Sequence, residues 1–150
     1  MSEPTKRGEH TAGGMSIEDI STVMRKQDIA MLGTRHGDDQ AVRPMSNNRD
    51  VDFDGDTYFF TTDDTTTVAD IKAHPRVSVS YADADDDVFI AMTGTATLHT
   101  DRDTQKKHWK PELEQWFEGG LDTPGLTLIR VDADRVHHWC GRSEGELVLD

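Results

Sequence analysis

The sequence has a single cysteine, Cys140, which excludes an internal disulfide framework and suits a reducing compartment. No apolar run approaches a membrane span, and the first residues, with Lys6, Arg7 and Gly13-Gly14, lack the apolar centre of a signal peptide. A soluble, cytoplasmic protein is the expectation. Basic residues are scarce: 16 Lys and Arg face 29 Asp and Glu, for a formal charge of −13. Such a surface repels phosphate backbones and anionic lipid, so neither nucleic acid nor membrane is an expected partner. Hydrophobic residues are also few, at 34% of the chain. A subunit interface that completes the core is therefore expected.

Several chemistries lack their residues. No Ser-His-Asp order stands out, and Gly33 to Gly37 lacks the strand-to-helix setting of a nucleotide loop. The acidic run Asp83 to Asp87 lacks the spaced oxygens and downstream Glu of a calcium loop, and reads as a solvated face, with a salt-adapted or cation-binding surface as the alternative. In His137-His138-Trp139-Cys140 only His138 and Cys140 share a strand face, too few ligands for a closed zinc site. No metal is expected.

What is present spells one domain over 16–150, behind a polar, glycine-containing arm at 1–15 that reads as disordered. Ser16 with Asp19 is a near capping box, and Ile17, Ile20, Val23 and Met24 share a helical face, so a helix is predicted from Ser16 to Lys26. Asp28 to Arg35 and Gln40 to Ser46 form a hairpin about His36-Gly37-Asp38-Asp39. Asp50 to Phe53 pairs briefly before Asp54-Gly55 turns into Tyr58 to Thr62. Thr66 to Ala73 is a short helix stopped by His74-Pro75. Arg76 to Ala82 and Val88 to His99 are strands, the second bent at Gly94. Asp101 to Phe117 is helical in two pieces because Pro111 interrupts it. Leu126 to Val131 and Arg135 to Cys140 read as a last hairpin. The pattern is mainly β, with helices bracketing the strands.

The stretch from Gln40 to Thr67 carries the chemistry. Arg43 is a permanent cation beside a proline, and Thr61 to Thr67 put hydroxyls and free backbone N–H groups at a helix start, which is what an anion needs. An anionic, flat, partly apolar ligand fits both halves. Threonines before a helix are also ordinary caps, and Met45 is equally ordinary core filler.

Several motifs stand in order: Ala30-Met31-Leu32, Val42-Arg43-Pro44-Met45, Phe59-Phe60-Thr61, Ile71-Lys72-Ala73-His74-Pro75-Arg76-Val77, Thr93-Gly94-Thr95-Ala96, Trp109 through Trp116-Phe117, and Val136 to Trp139. This series, over roughly Ser16 to Gly141, resembles the FMN-binding split-barrel superfamily of pyridoxamine 5′-phosphate oxidase, and most of all its general stress protein 26 branch. The resemblance implies a six-stranded antiparallel split β-barrel with flanking α-helices, working as a homodimer with FMN at the subunit interface and serving as a flavin-dependent oxidoreductase. It further implies that Arg43, Pro44, Met45 and Ser46 lie along the cofactor, that Phe60, Thr61, Thr62, Thr65, Thr66 and Thr67 surround its phosphate end, and that Trp116 and Trp139 lie near its ring. Thr93, Gly94 and Thr95 would bring a partner's backbone to the cofactor. No catalytic side chain is indicated. The chain departs from the family at Thr67, where a lysine is usual, which leaves open a deazaflavin in place of FMN, or a non-catalytic flavin-binding stress module. The acidic Glu144-Gly145-Glu146, read as a tail, argues against pyridoxamine-phosphate oxidase itself.

Overall fold

The computed structural model describes residues 9–10, 14–47 and 53–149. In chain order its elements are β1 (Glu9–His10), α1 (Ile17–Arg25), β2 (Ile29–His36), β3 (Asp39–Ser46), β4 (Asp56–Thr62), α2 (Thr66–Ala73), β5 (Arg76–Asp83), β6 (Val88–His99), α3 (Arg102–His108), β7 (Leu126–Cys140) and β8 (Ser143–Val148), with short 3₁₀ turns at Pro111–Gln115 and Gly120–Asp122. Most of the expected arm, and all but Phe53 of the brief pairing expected of Asp50 to Phe53, fall outside the described residues; the Phe53 amide donates to Ser21 Oγ, and Glu9–His10, within that arm, pairs with Val148 and Leu147.

The sheet is antiparallel and eight-stranded, in the order β1-β8-β7-β6-β5-β2-β3, with β4 paired to β7 off that path. Among the described residues it does not close: β3 lies at an edge, where Pro44, which has no amide proton to donate, is tolerated. The molecule is a split barrel with flanking helices, and the six expected strands are β2 to β7.

The last expected hairpin is corrected by the structure. Leu126 to Cys140 is one continuous strand of 15 residues, and the hairpin partner of its second half is β8. Along one edge of β7, Leu126 to Asp132 pair with β4, and Arg135 to Cys140 pair with β8. Asp132 to Asp134 looked like a turn by composition, but each finds strand partners or exposure on an alternating face. Glu144-Gly145-Glu146 is accordingly no tail: Glu144 pairs with His137 and Glu146 with Arg135 inside β8.

Local signals explain the helices. Ser16 and Asp19 form a complete capping box, and α1 buries Ile17, Ile20, Val23 and Met24. Thr65 caps α2, which ends before Pro75. The expected helix through Phe117 breaks at Trp109, and Pro111 opens the 3₁₀ turn that follows. The main core lies between the barrel strands and α1, around Ile20, Leu32, Phe59, Val79, Ile90, Met92, Ile129 and Val131. A second, smaller core joins Phe60, Leu113, Leu126 and Leu128 to Tyr58, Trp109 and Phe117, and fixes the 3₁₀ segment against the sheet. Trp109 is a packing residue there, edge-on to Phe60 at 5.1 Å between ring centroids. No helix among the described residues is long and apolar enough to cross a membrane.

Candidate functional site

Strand alternation divides the candidates on β3. Arg43 and Met45 take the inner face with Leu32 and Ala30, opposite which they pair, while Pro44 and Ser46 face outward beside Met31 and Ile29. Met45 packs against the main core. The strand therefore presents its outward and inward residues to different surroundings, and the four do not form one continuous ligand-facing edge.

Arg43 reaches inward to α2. Its Nη1 donates to Thr34 Oγ1 at 2.7 Å and to the Leu32 carbonyl at 3.3 Å, and Nη2 lies 3.4 Å from Asp70 Oδ2. Asp70 is buried, with its other oxygen 2.7 Å from His36 Nδ1 and Thr34 Oγ1 donating to Oδ2 at 2.8 Å. Burial works against the Asp70 charge, but the hydrogen bonds from His36 and Thr34 and the charges of His36 and Arg43 outweigh it, holding the carboxyl below the usual carboxylate range. Thus Arg43 meets α2 at Asp70, the fifth of its eight residues, through a carboxylate that the sequence reading overlooked. A signal was available: Thr67, Val68 and Ile71 form the buried face of α2, and an Asp at 70 falls on that face, where an unpaired charge is rarely found.

The threonines before α2 are largely consumed by the loop itself. Thr65 Oγ1 accepts from the Val68 amide and donates to the Thr62 carbonyl, and it lies 3.3 Å from Thr61 Oγ1. Thr62 Oγ1 donates to Asp64 Oδ1 at 2.6 Å, and Thr61 and Thr67 are buried, leaving Thr66 exposed. Asp63 turns toward Gly125, whose carbonyl accepts the Asp63 amide, so its carboxylate packs against the loop before β7. The segment caps a helix by ordinary means.

A groove of about 940 Å³ opens on the far side of β3 and β4. It is lined by Arg25 and Lys26 at the end of α1, Ile29, Ser46 and Asn47, Tyr58 and Phe60 of β4, and Lys110, Leu113 and Trp116 from the 3₁₀ segment. Of the expected site residues, Ser46, Phe60 and Trp116 meet here. Trp116 is 60% exposed, an unusual setting for so large an apolar surface. Tyr58 stacks on His108 at 3.8 Å between centroids. Burial, then the charges of Lys107 and Lys110, push the His108 imidazole below its ordinary value, which favours the neutral ring in that stack. Tyr58, His108 and the flanking cations were missed because β4 reads as a uniform aromatic strand, and the side of it that faces a groove is decided by the distant 3₁₀ segment.

Trp139 lies away from this groove, on the outer face of β7, stacked on His137 at 4.4 Å. Gly94 does permit a close approach, but of its own chain: a Cβ there would collide with the Asp132 carbonyl and the Ala133 backbone of β7 beside a bulge in β6. His138 is buried and its Nε2 accepts from the Met15 amide at 3.2 Å, while Cys140 is exposed. Among the described residues no cluster of three or more His, Cys, Asp or Glu side chains is placed to hold a metal ion.

The donor set fits the ring and polyol of a flavin nucleotide better than its phosphate. The groove has aromatic walls and a volume in the range of small-molecule sites, and Ser46 stands three residues, roughly 10 Å of strand, from Arg43. The phosphate end has the amides of α2 and a guanidinium already balanced by Asp70.

Residues 16–149 match the family model described as pyridoxamine 5′-phosphate oxidase like. Among solved structures, the general stress FMN/FAD binding protein of Xanthomonas citri is 29% identical, with a TM-score of 0.73 over 84% of this chain and 89% of that one. A Clostridium acetobutylicum protein related to general stress protein 26 of B. subtilis has a TM-score of 0.77 at 17% identity, covering 85% of this chain and 90% of that one. Protein bli-3 of Neurospora crassa is 26% identical over 132 residues, which is 81% of this chain but only 63% of the length of that protein.

Proposed function

The chain belongs to the pyridoxamine 5′-phosphate oxidase-like family, and on that premise we propose that it is a flavin-binding oxidoreductase of the general stress protein type, with FMN held at the interface of a homodimer. The observation that carries the reading is the meeting of Ser46, Phe60 and Trp116 in one aromatic groove. Ser46, Tyr58, Phe60 and Trp116 would hold the ring, and Arg43 with the first amides of α2 the polar end. A bound flavin supplies hydride or electron transfer; the chain supplies position and exclusion of water. The aromatic side chains remove water from one side of the groove, and Arg43 lends positive potential, reduced by Asp70, to whatever anion lies beside it.

The homodimer is supported by the outer face of the sheet. Register aligns Pro44, Met31, Ser80, Ala91 and His137 in one row across β3, β2, β5, β6 and β7, and puts Phe89 opposite Ala82 and Trp139 in the next. Ile29, Met31, Val42 and Phe89 are 44%, 38%, 62% and 37% exposed, an apolar face with small residues at its centre. On this face a partner would cover Pro44 and Trp139, which brings them into the same assembly as the groove.

A deazaflavin is the second reading, favoured by one observation: the Arg43 charge is shared with Asp70, and a phosphate diester asks less of a cation than a monoester. The absorbance spectrum of the freshly purified protein, followed by anaerobic reduction with a reduced nicotinamide, tests both. Flavin bands that bleach on reduction are expected. Bands at shorter wavelength would move the reading to the deazaflavin, bands that no reductant bleaches would leave a binding module, and a colourless protein that takes up neither cofactor would overturn it.

A further inference from the structure

The polar end of the candidate flavin site is built with its positive charge already answered. Arg43 makes its hydrogen bonds to Thr34, Leu32 and Asp70, and its side chain is only 20% exposed. Asp70 is fixed in turn by Thr34 and His36, so it cannot swing away without breaking two bonds of 2.8 and 2.7 Å. Most of the hydroxyls that would otherwise bind an anion are occupied: Thr65 closes the helix cap, Thr62 bonds Asp64, and Thr67 is buried, which leaves Thr66 exposed. Two carboxylates, Asp63 and Asp64, stand in the same loop, within a chain of net charge −13.

A phosphate monoester arriving here would bring close to two negative charges to a cluster in which His36 and Arg43 face Asp70. The helix amides contribute to any anion, but their worth near one turn is modest, typically below about 1 kcal/mol at an exposed end. Ring and polyol contacts in the groove do not depend on this charge.

We propose that the site, read as a flavin site, binds through the ring and ribityl chain and gains little from the terminal phosphate, so that riboflavin is a ligand comparable to FMN. The inference rests on the flavin reading, and it assigns to Asp70 the role of suppressing phosphate affinity by holding the guanidinium of Arg43. Replacing Asp70 by Asn keeps a hydrogen-bonding group of the same shape beside Thr34 while releasing the charge of Arg43. A charge-assisted hydrogen bond to phosphate corresponds to roughly a ten- to hundred-fold change in affinity.

The test is a titration of the flavin-free full-length protein with FMN and with riboflavin, followed by quenching of flavin fluorescence at low and high salt. The two ligands are expected to bind within about ten-fold of each other, with no stronger salt dependence for FMN. In Asp70→Asn, FMN is expected to tighten by about ten-fold or more while riboflavin is unmoved. Thr66→Lys, which adds a cation at the exposed first residue of α2, is expected to shift the ratio the same way and stands independently should Asp70→Asn fold poorly. Unmodified protein that prefers FMN over riboflavin by more than about a hundred-fold would overturn the inference and leave the flavin reading intact. Failure to bind either ligand would overturn the flavin reading, and the inference with it.

Discussion

Asp70 is the residue on which most of the polar chemistry turns. It joins β2, β3 and α2 through Thr34, Arg43 and His36, and it is a buried carboxylate beside Arg43. Removing one partner from a buried ion pair leaves the other uncompensated, so Asp70→Ala is expected to cost about 3 kcal/mol, read as a lower urea midpoint; an unchanged midpoint would mean that Arg43 simply turns to solvent. The pH dependence has a definite sign. The Asp70 pKa is lower in the folded protein than in the unfolded chain, so its contribution is present above the ordinary carboxylate range, near about 4, and is lost as pH falls through the lower folded-state value. Thermal melts of the native protein should therefore lose stability through that acid window more steeply than those of Asp70→Ala. At this scale the sequence was legible where a residue's type alone decides its part: Arg43 as a fixed cation, and the threonines before α2 as ordinary caps. It was not legible where two distant residues share one charge, because nothing in the spacing of Arg43 and Asp70, 27 positions apart, announces their contact.

Among the elements, β7 does the most to set the architecture. It pairs with β6 along one edge and with β4 and then β8 along the other, so both halves of the barrel depend on it. The bulge between Thr93 and Gly94 lets β6 follow it, and Gly94 is needed there for space, since a Cβ would come within 2.8 Å of Ala133 Cα. Backbone on both sides cannot give way as a flexible side chain can. Gly94→Ala is expected to destabilise the fold by about 1–3 kcal/mol, which equilibrium unfolding measures; a neutral effect would show that β6 and β7 can separate locally. Elements with a local period were readable in advance, which is why α1, β2, β3, β5 and β6 lie close to where hydrophobic spacing puts them. β7 was split in two because Asp132, Ala133 and Asp134 resemble a turn, and only their cross-strand partners keep them extended. β8 was hidden by its glutamates, which are held on the sheet by Arg135 and His137 rather than by any apolar alternation.

For the whole molecule, a low hydrophobic fraction and an exposed apolar sheet face are two views of one expectation, that a second copy covers the face. A charge at its centre should prevent this without disturbing the core, since Met31 is exposed and Ala30 and Leu32 on either side are buried. Met31→Glu is expected to convert the dimer to a monomer in light scattering and to weaken flavin binding at the same time, with the helical and strand circular dichroism unchanged. A fully dimeric Met31→Glu protein would place the interface elsewhere. The split-barrel architecture could be read from ordered motifs because each fixes a short segment in a known succession, whereas the groove could not, because its walls come from α1, β3, β4 and the 3₁₀ segment together. Assembly and ligand are joined at one interface, and both are read in one run: size-exclusion chromatography of the protein, loaded with FMN, with light scattering and flavin absorbance recorded on the same peak. A single peak with the mass of two chains, carrying flavin in proportion to protein, is expected. A peak of one chain that retains flavin, or a dimer that carries none, would contradict it.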